Sequence, residues 1–437
     1  MKRLMNGFIF VCAISLSTAS WASLTIQTWH TQQGVKVLFV EAPQLPMVDI
    51  EVTFDAGSAR DGAQSGLANL TAALLFAGTQ RKNEQQISAG FNRLGAQFGG
   101  DAGRDSASFT LRSLTRESLL NPALDLFAEV LSQPTFPQAV MERDKARLLM
   151  ALQQQEEQPN YVAQRQFWQT LYAGHPYATP VEGTAQTIAA LTRDDLAAFY
   201  SRYYVAKNAQ VAIVGAISRQ QAQAIAERVS AGLAQGQAAK PLAKPQGLAN
   251  AQTQVVAFEA EQTHYLLGQV AIERGHPDYY ALFLGNHLLG GSGFASLLVN
   301  EVREKRGLVY SVYSFFAPMR VAGPWIVGLS TANQQAAQAD QVVRETLAQF
   351  MRGISADKLA DIKSNLIGGW PLRIDSNSEM LGYISMIGFY NLPLDYLEAF
   401  PQAIEKLTVA DVLAAWQRHI HPDSLLNIQV GQPTSAP

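Results

Sequence analysis

Apolar positions along the chain fall into two successive series of strand-like and helix-like runs. Short apolar runs predict strands at 35–40, 108–114 and 210–214 in the first half, and at 255–259, 325–330 and 427–430 in the second. Apolar residues three and four apart predict helices over about 119–131, 137–155, 336–351 and 356–367. Strands and helices do not alternate one for one, so antiparallel sheets covered by helices fit better than a doubly wound parallel sheet. The expected class is α+β, with two domains that each pack helices on a mostly antiparallel sheet.

The two halves repeat in register. Leu191-Thr192-Arg193-Asp194-Asp195 and Leu407-Thr408-Val409-Ala410-Asp411 each place a threonine before a helical pattern, with an aspartate three residues on. That spacing lets the carboxylate reach back to the cap and sit at the positive helix end. Each helix carries aromatics, Phe199 and Tyr200 or Trp416, and leads to an apolar strand ending in Gly215 or Gly431. Between the halves, residues 232–250 are rich in Ala, Gln, Gly and Pro without a periodic apolar face, which reads as a linker. The expected domains are therefore residues 24–231 and 251–433.

Composition adds a compartment. The 437 residues are 48% hydrophobic and 16% charged with a net charge of −3, a globular balance that gives no electrostatic reason for a nucleic-acid partner. Lys2 and Arg3, an apolar run at 8–16 and the small-x-small triplet Ser20-Trp21-Ala22 read as a signal peptide over residues 1–22. The single cysteine, Cys12, leaves with it, so the exported chain has no disulfide. No later stretch reaches the roughly 18 apolar residues of a membrane span. A bacterial periplasm is the expected location, with full secretion as the alternative.

Residues 66–79 read as a helix in which Leu67, Leu70, Leu74 and Leu75 form an apolar stripe, while Asn69, Ala72 and Ala73 share another face. This stretch resembles the ligand helix of pitrilysin/insulinase-type zinc peptidases, the inverzincins, which reads G-x-A-H-x-x-E-H-x-x-F-x-G-T. Gly66, Ala68, Phe76, Gly78 and Thr79 match that frame. Asn69 and Ala73 replace the two histidine ligands, and Ala72 replaces the general-base glutamate. The family's third ligand, a glutamate on a later helix, aligns with Ala151, and Asp144 aligns with an accompanying acidic position. Zinc in such a site needs imidazoles and a carboxylate, so the resemblance implies a zinc motif emptied of its donors and no metal in this chain.

Nothing else in the sequence replaces that donor set. His30, His175, His264, His276, His287, His419 and His421 form no pair on one helical face, and His419 and His421 suit the negative end of a helix closed before Pro422. Gly290-Gly291-Ser292-Gly293 lacks the Lys-Ser/Thr of a phosphate loop and joins two helical segments, so it reads as a tight turn. No nucleophile-elbow motif appears.

The run Asn300-Glu301-Val302-Arg303-Glu304-Lys305-Arg306-Gly307-Leu308-Val309-Tyr310 follows a helix expected from about Phe294. Alone, it reads as a charged helix end, a glycine stop and an edge strand with Tyr310 half buried. It also resembles the same family's C-terminal-domain motif R-x-x-x-G-L-x-Y, whose arginine and tyrosine contact bound peptide near the scissile bond. Carried over, those residues are Arg303 and Tyr310, a charged fork for substrate and a neutral donor for the oxyanion. The resemblance covers the whole mature chain. It implies the noncatalytic, substrate-binding subunit of a two-subunit zinc peptidase, whose homologous partner carries an intact H-x-x-E-H helix and the zinc. The alternatives are an exported peptide-binding protein or a structural assembly subunit, neither with a proteolytic role.

Overall fold

The computed structural model describes residues 25–433. The expected signal segment with Cys12, and residues 434–437, lie outside them. Two sheets form. The N-terminal one holds β1 (Gln27–His30), β2 (Lys36–Glu41), β3 (Met47–Phe54), β4 (Gln97–Ala102), β5 (Ala107–Leu114) and β6 (Ala209–Gly215), ordered β1-β2-β6-β3-β5-β4. The C-terminal one holds β7 (Gln252–Ala257), β8 (Gln262–Val270), β9 (Val309–Phe316), β10 (Pro324–Ala332) and β11 (Leu426–Gly431), ordered β7-β11-β8-β10-β9. Only β2 with β6 and β7 with β11 pair in parallel; the other neighbours are antiparallel, as expected from the pattern.

The repeat holds in three dimensions. Thr192 and Thr408 cap the helices Arg193–Tyr203 and Val409–His419, each in a reciprocal box in which the aspartate takes the threonine's own N–H at 2.8 Å. Each helix then feeds the strand, β6 or β11, that runs parallel to its domain's edge-side partner. Trp416 is fully buried in the second core, edge-on to Trp325 and Phe350.

The domains are joined by an exchange of helices that the pattern did not reveal. Pro159–Leu171, from the first half, packs on β8 and β11 of the C-terminal sheet, with Phe167 buried beside Leu266, Ile326 and Ile428. Asn377–Phe389, from the second half, packs on β2, β3 and β6 of the N-terminal sheet. There Ser385 bonds Glu51 at 2.7 Å, and Gln210 donates to the Ser385 carbonyl at 2.7 Å. Gly388 makes this approach feasible, because a Cβ at that position would lie 2.3 Å from Gln210 Oε1 and 2.4 Å from Leu38.

Two expectations change. Residues 66–79 form a helix only over Leu67–Ala73, after which a tighter turn, Leu75–Ala77, brings Phe76 against Phe91, Phe98 and Phe109. The strand expected at 255–259 begins at Gln252, because this edge strand is fixed by its parallel pairing to β11 and not by an apolar pattern of its own. The segment 232–250 holds no helix or named strand and is tied to the first domain: Arg60 donates to the Lys240 carbonyl at 2.7 Å, and Ala239 N–H to Asn208 at 2.9 Å.

Candidate functional site

The helix Leu67–Ala73 starts at Gly66, whose φ of 89° and close contact with Ile188 and the Glu182 carbonyl leave no room for a side chain. The buried carboxylate of Asp61 accepts the N–H groups of Gly66 and Ala68, each at 2.8 Å, and so satisfies two donors of the helix start. Burial pushes the Asp61 carboxyl up to about 7, against the pull of those two bonds. Sequence spacing gave no sign of this cap, since Asp61 lies a turn and a loop ahead of the helix.

The three altered positions do not present a common open face. Asn69 is half-buried and Ala72 is 1% exposed, whereas Ala73 is exposed. Ala73 opens onto a hollow of about 580 Å³ lined also by Phe76, Glu84, Ser88, Asn92 and Phe98. Glu84 is the one carboxylate on that lining, and both of its oxygens are taken by Arg143, at 2.7 and 2.8 Å. That bond to Arg143 holds the Glu84 carboxyl below its ordinary range. Ala151 sits exposed on the helix Gln138–Glu156, and Asp144 of that helix is paired with Arg143 at 2.8 Å and Arg147 at 3.3 Å. One amide and methyl groups do not make a zinc site, and the nearby carboxylates are already neutralised by arginine.

Among the described residues, His276, Asp278 and His419 bring three metal-capable ligand atoms within 4.8 Å of one another. The two histidines are far apart in sequence, so only the fold reveals the cluster. Its bonds are already made within the protein. Arg418 grips Asp278 at 2.8 and 3.1 Å and holds its carboxyl below the usual range, and His419 Nε2 lies 2.8 Å from the same carboxylate. His276 Nδ1 accepts the Asp278 N–H at 3.1 Å. A guanidinium on the shared carboxylate opposes a second cation, and the cluster is accounted for as a tie between the ends of two helices.

Arg303 and Tyr310 lie in the other domain. The helix expected from Phe294 is a short turn, Gly293–Ala295, followed by a wide π-helical turn, Val299–Glu304, in which Lys305 N–H reaches back five residues to Asn300. The turn stops at Gly307, as the sequence indicated, with φ of 61°. Arg303 lies over the ring of Phe294 at 4.9 Å, and its only ion-pair contact among the described residues is with Glu304 at 3.6 Å. Strand β9 then bulges: Val309 faces Thr331 and Val312 faces Leu329, so Tyr310 and Ser311 together oppose Ser330. The bulge turns Tyr310 out, and at 85% exposure it is not the half-buried edge residue of the plain reading. Its hydroxyl has no hydrogen-bond partner among the described residues. Among the described residues, Arg303 and Tyr310 share no hydrogen bond with the Leu67–Ala73 helix.

These features define a two-domain, peptidase-like protein whose metal helix lacks its donors. The model for the insulinase peptidase family M16 matches residues 36–185, and that for the peptidase M16 inactive domain matches residues 190–366. The chain is similar to a crystal structure of a peptidase M16 inactive domain from Pseudomonas fluorescens, with 41% identity, coverage of 94% of this chain and 99% of that one, and a TM-score of 0.91. An uncharacterized zinc protease YmxG of Bacillus subtilis is 28% identical over 81% of this chain and 86% of its own. A non-peptidase homolog YmxG of Helicobacter pylori is 26% identical over 93% of this chain and 94% of its own. The chain belongs to the M16 (insulinase) peptidase family, and its similarity to an inactive M16 domain fits a noncatalytic member. No described helix is long and apolar enough to cross a membrane.

Proposed function

We propose that this chain is the exported, periplasmic, substrate-binding subunit of a heteromeric zinc metallopeptidase. In this reading a homologous partner holds the zinc on an intact H-x-x-E-H helix, and this chain supplies Arg303 and Tyr310 to the partner's active site. The observation that carries the reading is Tyr310, turned out by a β-bulge at 85% exposure with its hydroxyl uncommitted, in a chain whose counterpart of the metal helix carries no zinc donors. An isolated phenol in that state offers one neutral hydrogen-bond donor to an external acceptor, the role required at a developing oxyanion. Arg303, in the π-helical turn that precedes β9 and only weakly paired, offers a planar fork for a substrate carbonyl or carboxylate. Similarity to a peptidase M16 inactive domain supports the noncatalytic assignment.

The test is recovery from the native host. The mature chain, purified from a periplasmic extract, should bring with it an M16 chain with intact zinc ligands, and only the pair should cleave unstructured peptides. Recovery of this chain free of any M16 partner, from an extract where such a partner is expressed, contradicts the proposal.

A further inference from the structure

A second hollow, of about 200 Å³, lies between the crossing helix Pro159–Leu171, the segment 178–182 and the turn joining β4 to β5. Its polar and aromatic lining consists of Arg104, Tyr161, Gln164, Arg165, Trp168 and Glu182. Ser65, one residue before Gly66, ties this wall to the start of the Leu67–Ala73 helix by donating to the Pro180 carbonyl at 3.1 Å.

Both signs of charge face this space, and they do not meet. Arg104 lies over the Trp168 indole, its guanidinium carbon 3.6 Å from the ring centre. Its Nε donates to the Tyr177 carbonyl at 3.3 Å. The other four guanidinium N–H groups have no protein acceptor among the described residues. Burial is deep enough to pull this guanidinium down to about 10. Arg104 is half-buried, and its unbonded N–H groups are not sealed inside the protein, so they form an open edge for an anion. Among the described residues no carboxylate lies within ion-pair distance of it, although the charge of Glu182 acts on it across the hollow. Asp105 is closed by the hydroxyls of Tyr177 and Tyr390 and the Arg320 N–H, and Glu156 is paired with Arg165. Glu182 lines the same hollow, outside ion-pair distance of Arg104, and accepts no hydrogen bond from a described residue.

We infer that this hollow binds a small zwitterion, with its carboxylate on the free edge of Arg104, its ammonium on Glu182 and its body against Trp168 and Tyr161. An amino acid and a very short peptide share that chemistry. The inference rests on the hollow alone and holds whether or not the chain has a peptidase partner.

Titration calorimetry on the mature chain with four probes tests it. L-Leucine and leucyl-leucine carry both charges, N-acetyl-leucine only the carboxylate, and leucinamide only the ammonium. One zwitterion should bind with 1:1 stoichiometry, and each singly charged probe about tenfold or more weakly. Tighter binding of leucine identifies a free amino acid as the ligand, and tighter binding of leucyl-leucine identifies a short peptide. Arg104→Gln should weaken the zwitterion about tenfold or more, and Glu182→Gln should abolish its advantage over N-acetyl-leucine. Glu182 makes no hydrogen bond or ion pair with a described residue, so its variant decides the matter even if Arg104→Gln melts early. Absence of saturable binding at millimolar concentrations, equal affinity for all four probes, or an unchanged zwitterion preference in Glu182→Gln overturns the inference.

Discussion

The hydroxyl of Tyr390 donates to the carboxylate of Asp105 at 3.0 Å, across the boundary between the two domains. Asp105 also accepts the hydroxyl of Tyr177 from its own domain and the Arg320 N–H, at 2.8 Å, from the other. One buried carboxylate thus satisfies three donors on three segments. Asp105→Ala leaves all three facing a cavity, and the expected loss is about 3 kcal/mol of unfolding free energy. Urea denaturation measures it, and a loss below about 1 kcal/mol would show that water replaces the carboxylate without cost.

The second prediction follows from Asp61. Burial raises its pKa from 3.8 to about 7, so the folded chain holds the proton more tightly than the unfolded chain between those values. Its stabilising contribution is therefore full at the acid end of that window and is lost as pH rises through it. Asp61→Asn carries no titrating proton. The melting temperature of the wild type relative to this variant should fall as pH is raised from 5 to 7.5, a range inside and just above that window. A constant difference across the range would mean that Asp61 titrates at its ordinary value.

Much of the fold was legible because its signals are local. Capping boxes at Thr192 and Thr408, apolar strands ending in Gly215 and Gly431, and the helices after β5 and β10 all follow from spacing within a dozen residues. The exchanged helices were not legible. Pro159–Leu171 and Asn377–Phe389 bury faces chosen by the opposite sheet, and no local pattern names a partner. The reading of an emptied metal helix rests on the residue types at 69, 72 and 73 and on no structural signal. The bulge that turns out Tyr310 depends on the pairing of β9 with β10, and the charge pair around the second hollow depends on three segments meeting.

A third prediction concerns zinc. The isolated chain should hold no stoichiometric zinc, by elemental analysis of tag-free protein, because Asn69, Ala72, Ala73 and Ala151 supply no donor set. Combining Asn69→His, Ala72→Glu and Ala73→His should still give no hydrolysis. Ala72 is only 1% exposed, and Glu84 and Asp144 stay committed to arginines. One tightly bound zinc per wild-type chain would refute the donor argument.

Arg303 should act mainly through binding. Its side chain rests on an exposed ring, Phe294, and on a 3.6 Å contact with Glu304, so Arg303→Ala should leave the melting temperature nearly unchanged. In the assembled peptidase the same change should raise KM about tenfold, with a further loss in kcat if the fork tightens on the transition state. A destabilised subunit with unaltered KM would return Arg303 to the role of a charged helix end.

The most direct measurement is kcat of the reconstituted pair carrying Tyr310→Phe. The substitution removes one exposed hydroxyl that makes no hydrogen bond to a described residue, so folding and assembly should be unaffected. If that hydroxyl donates to the oxyanion in the partner's site, kcat falls by about 100- to 1,000-fold while KM changes little. Peptide cleavage at the unmodified rate would contradict the assignment of Tyr310 to the active site and, with it, the proposed role of this subunit.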